Sequence, residues 1–332
     1  MIDFLDVLIT VVFLLALAIP GFIFAKLKMI PQSASGALST LVLYGCQPIL
    51  VFTSFQGCAY DPKLALNMLI VAGLALVIHL LMFLIVKLLF FKWAKEDKTK
   101  IVKYLSVFSN CGFMGLPFLQ SLFTDGGIQA ELIVYCAVVL AVFNVLSWTF
   151  GVYIMTGEKK QISVKKVLLN PVIIAVVISL VFFFAFQKPL IELTSAGTVG
   201  YKITSKLMSG LNFLSTMVTP LSMIVIGIRL ANVNFRQLLT DKWAYGATAV
   251  KLVVMSLVSM FVVAFLPISA TIKYTIFFLL AMPSAASGAM MAVQFGKDGD
   301  FASVVVILST ICSIATLPLS YLFMSEVLGV VI

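Results

Sequence analysis

The sequence predicts an all-α integral membrane protein with ten transmembrane helices, built as two five-helix repeats of opposite orientation. Its 332 residues are 62% hydrophobic and only 11% charged, with a mean hydropathy of +1.17. A soluble chain is about half apolar and a quarter charged. Apolar runs of about 20 residues, the length that crosses a hydrocarbon core, follow one another along the chain. The two halves also share features at a constant spacing.

The apolar runs are long and continuous, which is typical of helices. Inside a bilayer every backbone polar group must be paired, and only helices or closed barrels achieve this. A barrel strand would be short and would alternate in polarity. Charged residues between the runs divide them into ten segments, near 5–25, 35–56, 63–90, 101–123, 128–156, 166–187, 207–231, 243–266, 271–295 and 301–328.

The same composition argues against an enzyme. His79 is the only histidine, so a Ser-His-Asp arrangement and a two-histidine metal site are not expected, and no glycine loop of the Walker type occurs. Four of the five cysteines lie within apolar runs, which predicts neither disulfides nor a metal site. Asp3 and Asp6 precede the first run, unlike the basic start of a signal peptide. We expect no cofactor.

Positive charges predict the orientation. A net charge of +9 can indicate a nucleic-acid partner, but here the lysines flank the apolar segments, as the positive-inside rule expects. With both termini outside the plasma membrane, the inner side would hold Lys26, Lys28, Lys92, Lys95, Lys98, Lys100, Lys103, Lys159, Lys160, Lys165, Lys166, Arg229, Arg236, Lys242 and Lys297. The outer side would hold only Lys63, Lys188, Lys202, Lys206 and Lys273.

An internal repeat appears when the chain is shifted by 172 residues. The shift pairs Pro48 with Pro220, Gly127 with Gly299, His79 with Lys251 and Asn144 with Thr316. Each repeat has five spans, so the second enters the membrane inverted, an arrangement typical of secondary transporters. The predicted division is a first repeat at 1–156, a short cytosolic linker at 157–164 and a second repeat at 165–332.

The fourth and ninth segments carry proline, glycine and serine near their middle. They read Ser109-Asn-Cys-Gly-Phe-Met-Gly-Leu-Pro117 and Ala281-Met-Pro-Ser-Ala-Ala-Ser-Gly-Ala289. Such runs predict helix breaks, and the N-terminal helix end at a break can hold a carboxylate. The alternative is close helix packing by small residues. The predicted substrate-binding residues are Asn110, Cys111, Gly112, Pro117, Pro283, Ser284, Ala285 and Ser287.

A second group of polar residues lies inside predicted spans. His79 and Lys251 are candidates for contact with substrate or with a coupling ion, a proton or sodium, because ionisable residues within a membrane are usually functional. Asn144 and Thr316 are more typical of hydrogen bonds between helices, and Gln47 beside Pro48 is similar. No acidic residue lies near a span centre, which argues against a carboxylate proton relay.

At these motifs the chain resembles the auxin efflux carrier family, which includes plant auxin carriers and bacterial malate and malonate permeases. The resemblance covers nearly the whole chain. It is carried by Asn110 with Met114-Gly115-Leu116-Pro117, Asn170-Pro171, the run from Pro220 to Gly227, Pro283, and Ser309-Thr310 followed by Pro318.

The resemblance implies the fold of bile-acid sodium symporters. Helices one, two, six and seven would form a scaffold, and helices three to five and eight to ten a moving transport domain. Helices four and nine would cross at their breaks, with substrate bound there. The resemblance also implies an elevator-type motion and a homodimer formed through the scaffold.

Departures from the plant pattern favour a small mono- or dicarboxylate over auxin. Plant carriers have proline where this chain has Ser109 and glutamine where it has Ser284, and the connection at 157–165 is short. A sodium-coupled symporter of the bile-acid type is an alternative, although its sodium sites would need acidic or amide groups. A membrane sensor of the same ligand is a third, and would usually carry a soluble output domain.

Overall fold

The computed structural model describes residues 2–93, 96–124, 126–233, 235–327 and 329. Lys95, one of the predicted inner lysines, lies outside them. The helical segments are numbered in chain order, and a and b mark the two halves of an interrupted segment. They are α1 (Phe4–Lys26), α2 (Ala34–Phe55), α3 (Pro62–Leu89), α4a (Asp97–Val107), α4b (Cys111–Leu122), α5 (Ile128–Thr156), α6a (Lys159–Leu168), α6b (Pro171–Phe186), α7 (Val199–Asn232), α8 (Lys242–Ala264), α9a (Ala270–Ala281), α9b (Ser287–Gln294) and α10 (Gly299–Glu326).

Seven of these described segments are long and apolar enough to cross a membrane, and α6 makes an eighth if its two halves, bent by 45°, form one span. The fourth and ninth segments are each two shorter helices. The seventh begins at Val199, whereas the sequence predicted a start near 207. Thr198 caps this helix by accepting a hydrogen bond from the Tyr201 amide, and the lysines of its first turns are exposed on its surface.

Hydrogen bonds and ion pairs near the helix ends group the loops between helices onto two faces of the protein. On one face, ion pairs join the start of α4a to the connections before α8 and before α10; they are Lys98–Asp241 at 3.0 Å and Lys297–Asp97 at 2.8 Å. On the other face, the connection after α2 meets the one after α6, through Tyr60 N to Gln187 O at 3.2 Å and Leu190 N to Gln56 Oε1 at 2.7 Å. These groupings are the ones that the predicted alternation of spans requires.

Helices α1 and α7 approach until their backbones touch. A Cβ atom on Gly227 would lie 1.9 Å from the Ala18 carbonyl oxygen, and one on Gly21 would lie 2.3 Å from that of Ile224. Glycine is therefore required at this crossing. Helix α2 packs on α6b and on both the N-terminal and the C-terminal part of α7. Helices α1, α2, α6 and α7 therefore form one connected group.

The remaining helices form a second connected group, which also packs on the first, since α10 packs on α1 and α5 packs on α2 and α6b. Helix α3 packs on α5, α8 packs on α9a, and α10 packs on α8 and α9b. Helix α5 ends at Gly157, whose φ of +78° is readily adopted only by glycine. At the start of α6b, the Asn170 side chain accepts from the Val172 amide and Pro171 takes the first helical position. The family motif Asn170-Pro171 thus marks the start of α6b.

Candidate functional site

Helices α4 and α9 lose helical backbone near their middle. Helix α4a ends at Val107, Phe108 is extended (φ −88°, ψ 123°), and α4b starts at Cys111. Helix α9a ends at Ala281 and α9b starts at Ser287. Met282 is extended (φ −52°, ψ 152°), as expected for a residue before proline.

The two breaks pair with each other. Ser109 and Ser284 form an isolated antiparallel bridge. The Asn110 amide donates to the Pro283 carbonyl at 2.7 Å, and the Ala285 amide donates to the Phe108 carbonyl at 2.9 Å. Non-helical backbone inside a membrane must find partners within the protein. Each break supplies them for the other.

Serine side chains complete the pairing. Ser109 Oγ donates to the Leu280 carbonyl at 2.8 Å, and Ser284 Oγ donates to the Leu105 carbonyl at 2.9 Å. Each serine thus satisfies a carbonyl at the C-terminal end of the other half-helix. The Ser284 amide also donates to Ser309 Oγ at 3.1 Å. Ser284, predicted to bind substrate, is therefore engaged in holding the breaks together.

A partly open cavity of about 200 Å³ lies beside the paired breaks, bounded also by residues of α2, α5 and α6b. Its wall has polar and aromatic side chains. Six of the residues singled out from the sequence line it: Asn110, Gly112, Ala285, Ser287, Gln47 and Asn144. Among the described residues in its wall there is no acidic side chain.

Two amide side chains in this wall have unused donors. Asn110 is 3% exposed and Gln47 is 1% exposed. Within the described part of the chain, neither Asn110 Nδ2 nor Gln47 Nε2 has a hydrogen-bond partner. Buried polar groups are nearly always hydrogen-bonded, because an unmade bond costs about 1–3 kcal/mol. Two unsatisfied donors beside one cavity make it a candidate site for a ligand rich in acceptor oxygens.

Helix ends add to the positive potential of this cavity. Helix α4b begins at Cys111 and α9b begins at Ser287, and Gly112 and Ser287 face the cavity. The first amides of a helix have no acceptor within it, and they carry partial positive charge. Both half-helices thus present their N-terminal ends to the same space.

Asn144 serves mainly as a link between helices. Its Nδ2 donates to the Leu140 carbonyl at 2.8 Å, and its Oδ1 accepts from Asn170 Nδ2 at 3.0 Å. Asn170 caps α6b, so the pair ties α5 to the start of that helix. This is the linking contact that the sequence favoured for Asn144, although the side chain also borders the cavity.

His79 and Lys251 lie outside the cavity wall. Lys251 is completely buried, and its ammonium donates to Ser109 Oγ and, at 2.9 Å, to the Leu280 carbonyl. His79 Nδ1 lies 2.7 Å from the Ala75 carbonyl oxygen of its own helix, and the ring lies 5.8 Å from that of Phe108. The two repeat-equivalent residues therefore contact different groups.

The other predicted residues also lie elsewhere. Cys111, Pro117 and Pro283 are not part of the cavity wall; Pro283 contributes its carbonyl to the paired breaks. Thr316 borders a separate cleft formed by α8 and α10. Within the described residues its hydroxyl has no hydrogen-bond partner, so the predicted link between helices is not seen there.

Arg229 was missed as a site residue, because from the sequence it belonged to an inner connection. It lies within α7, where Nη1 donates to the Ala286 carbonyl at 2.5 Å and Nη2 to Ser39 Oγ at 3.3 Å. The same side chain borders a second, wider cavity of about 610 Å³. Met290 and Gln294 line both cavities, so the wider one adjoins the site.

Gly112 determines the position of the Gln47 amide. A Cβ atom there would lie 2.5 Å from Gln47 Nε2 and 3.2 Å from Leu140 Cδ2. We expect Gly112→Ala to displace the Gln47 side chain and to weaken ligand binding about tenfold, the loss of one hydrogen bond, while the protein folds. Gly73→Ala, where an added Cβ meets nothing within 4 Å, is the control. Equal affinities in the two variants would contradict this role of Gln47.

The architecture is that of a multi-pass membrane transporter, in which broken helices meet beside a polar cavity. A family model described as membrane transport protein matches residues 6–167 and 158–321. The chain therefore belongs to this family, that of the auxin efflux carriers, and the resemblance seen in the sequence is confirmed. The family implies transport rather than catalysis.

One curated relative is described as an uncharacterized transporter from Methanothermobacter thermautotrophicus. It is 25% identical over 320 residues, which cover 93% of this chain and 96% of the relative. The alignment spans both halves of the chain, including both breaks. The similarity thus extends over nearly all of this chain and of the relative.

Proposed function

We propose that this protein is a secondary transporter of small carboxylate anions, which bind in the cavity beside the paired breaks. The observation that carries the proposal is that the side-chain amide nitrogens of Asn110 and Gln47 have no hydrogen-bond partner within the described residues. A carboxylate has two oxygens and about four lone-pair sites, enough to accept from both amides.

The charge around the cavity supports an anion. No described residue of its wall is acidic, two helix N-termini face it, and the ammonium of Lys251 lies directly behind Ser109. Its volume of about 200 Å³ is below the roughly 300–1,000 Å³ of common drug-sized ligand pockets. A mono- or dicarboxylate of a few carbons suits this space better than a large aromatic acid.

The grouping of helices supports an elevator mechanism. Helices α1, α2, α6 and α7 would form the scaffold, and the second group would move as the transport domain, carrying the paired breaks with it. Arg229 of the scaffold is hydrogen-bonded to Ala286 in the α9 break, and Asn170 of the scaffold to Asn144 of α5. Both contacts would have to open during the motion. In this proposal the chain crosses the plasma membrane ten times and forms a homodimer through its scaffold.

Thermal stabilisation of the purified protein tests the binding step. The melting temperature is measured with a panel of mono- and dicarboxylates in sodium and in choline buffers, with the corresponding primary amides as uncharged controls. A carboxylate should raise the melting temperature, since a ligand at 100 times its Kd stabilises by about 2.7 kcal/mol, and its amide should not. Stabilisation by every amide, or by no carboxylate, would contradict the proposal. Stabilisation only in sodium would favour the sodium-coupled alternative.

The proposed orientation places Cys58 outside and Glu158 inside. Two variants test it, one keeping only Cys58 and the other adding Glu158→Cys to a cysteine-free chain. A membrane-impermeant thiol reagent should label the first in intact cells and the second only after lysis. Burial and, next, Glu131 raise the pKa of the Cys58 thiol, so less thiolate is present at neutral pH and labelling needs an alkaline buffer. The reverse pattern would overturn the orientation.

A further inference from the structure

Lys251 places its terminal nitrogen at the paired breaks, with no opposite charge beside it in the described part of the chain. Its side chain is 0% exposed, and among the described residues no carboxylate forms an ion pair with it. Its ammonium donates to Ser109 Oγ and to the Leu280 carbonyl at 2.9 Å. Buried charges are usually paired with an opposite charge or bound to a metal, and here oxygen atoms of the fold take that role.

The oxygens around Lys251 resemble a cation site. Leu280 is the last residue but one of α9a, so its carbonyl lies at the partially negative end of a half-helix. In transporters with broken helices, carbonyls at such ends and in the unwound backbone hold the coupling cation. Ser109 Oγ adds a second oxygen, from the α4 break, so one cation contacts both interrupted helices.

We propose that the Lys251 ammonium is a tethered cation that takes the place of a coupling metal ion at the paired breaks. It joins the α4 break to the end of α9a and keeps the cavity assembled without sodium. Lys251 is in this sense a positioning residue, since it touches Ser109 and not the cavity itself. The consequence for transport rests on the proposed function, whereas the consequence for the empty protein does not.

His79, which the predicted repeat pairs with Lys251, does not share this role. His79 lies on α3 and contacts Ala75 of its own helix and the ring of Phe108, but neither serine of the paired breaks. The duplicated position therefore carries a cation bridge in one half only. His79→Ala removes a buried ionisable side chain of the equivalent helix, and is the matched control for changes at Lys251.

Chemical rescue tests the proposal on the empty protein. Lys251→Ala removes the atoms that propylammonium would replace. We expect propylammonium to raise the melting temperature of purified Lys251→Ala, by on the order of 5 °C, and to leave wild type and His79→Ala unchanged. Uncharged 1-propanol and bulky choline should have no effect on any of them. An absent response, or an equal response in His79→Ala or to 1-propanol, would overturn the proposal.

A second variant covers the case in which Lys251→Ala does not fold. Lys251→Met keeps the length of the side chain and removes its charge. Wild type should bind the best carboxylate of the panel equally well in sodium and choline buffers, and Lys251→Met should bind it at least tenfold more weakly in choline. Wild-type affinity in Lys251→Met, or sodium-dependent binding by wild type, would overturn the proposal. If wild type binds no carboxylate, the proposed function fails, while the rescue experiment still decides the role of Lys251.

Discussion

Asn110→Ala should weaken carboxylate binding ten- to hundredfold while the protein still folds. The Asn110 side chain is buried, lines the cavity and has an unused donor. A hydrogen bond to a charged group is worth roughly 1.5–3 kcal/mol, and each 1.4 kcal/mol is a factor of ten in affinity. The pairing of the breaks should survive, because it uses the backbone amide of this residue and not its side chain. Titration of the purified variant measures the affinity.

Asn212→Ala is the matched control, since Asn212 is an exposed asparagine on α7. It should bind as wild type does. Gln47→Ala should resemble Asn110→Ala, and the double variant should lose less than the sum of the two, because both amides would contact one ligand. Wild-type affinity in Asn110→Ala would show that this amide does not contact the ligand, and the site would have to be sought elsewhere.

Gly227→Ala should cause the largest loss of stability. The new Cβ atom would lie 1.9 Å from the Ala18 carbonyl oxygen and 2.8 Å from the Phe22 amide nitrogen. These are backbone atoms, which cannot rotate away as a side chain can, so α1 and α7 would have to separate. Overpacking usually costs about 1–3 kcal/mol, and more where nothing can yield. We expect a much lower yield of folded protein in detergent and a reduced melting temperature.

The control for this change is Gly210→Ala in the same helix. An alanine at residue 210 meets nothing within 4 Å, and it favours helix by about 1 kcal/mol over glycine. Its stability should equal or exceed that of wild type. If Gly227→Ala were as stable as Gly210→Ala, the close approach of α1 and α7 would be wrong, and with it the core of the proposed scaffold.

Much of the fold could be predicted from the sequence because the bilayer imposes it. Long apolar runs between charged residues located the helices to within a few residues, except at the starts of α6 and α7. The amphipathic turns from Val199 carry exposed lysines, which a hydropathy pattern assigns to a loop. The breaks in the fourth and ninth segments were also predicted, because proline, glycine and serine act on the backbone locally.

The separate roles of the site residues could not be predicted from the sequence, because they depend on contacts between residues far apart in the chain. The sequence shows that Ser109 and Ser284 lie in breaks. It does not show that their side chains bond to carbonyls 171 and 179 residues away along the chain. Nor could it place Gln47 against Gly112, or show that Arg229 reaches Ala286. Pro117 was singled out by residue type, yet the α4 helix breaks several residues before it, at Phe108.

Solute counterflow in proteoliposomes tests the central claim most directly. Vesicles containing the purified protein are loaded with an excess of an unlabelled carboxylate that stabilises it, and are diluted into a trace of the labelled compound. Wild type should accumulate the label transiently, in choline as in sodium, and Asn110→Ala should do so far more slowly at the same protein content. A protein that binds the carboxylate but shows no more counterflow than empty vesicles would be a sensor, and the account of a transporter would be contradicted.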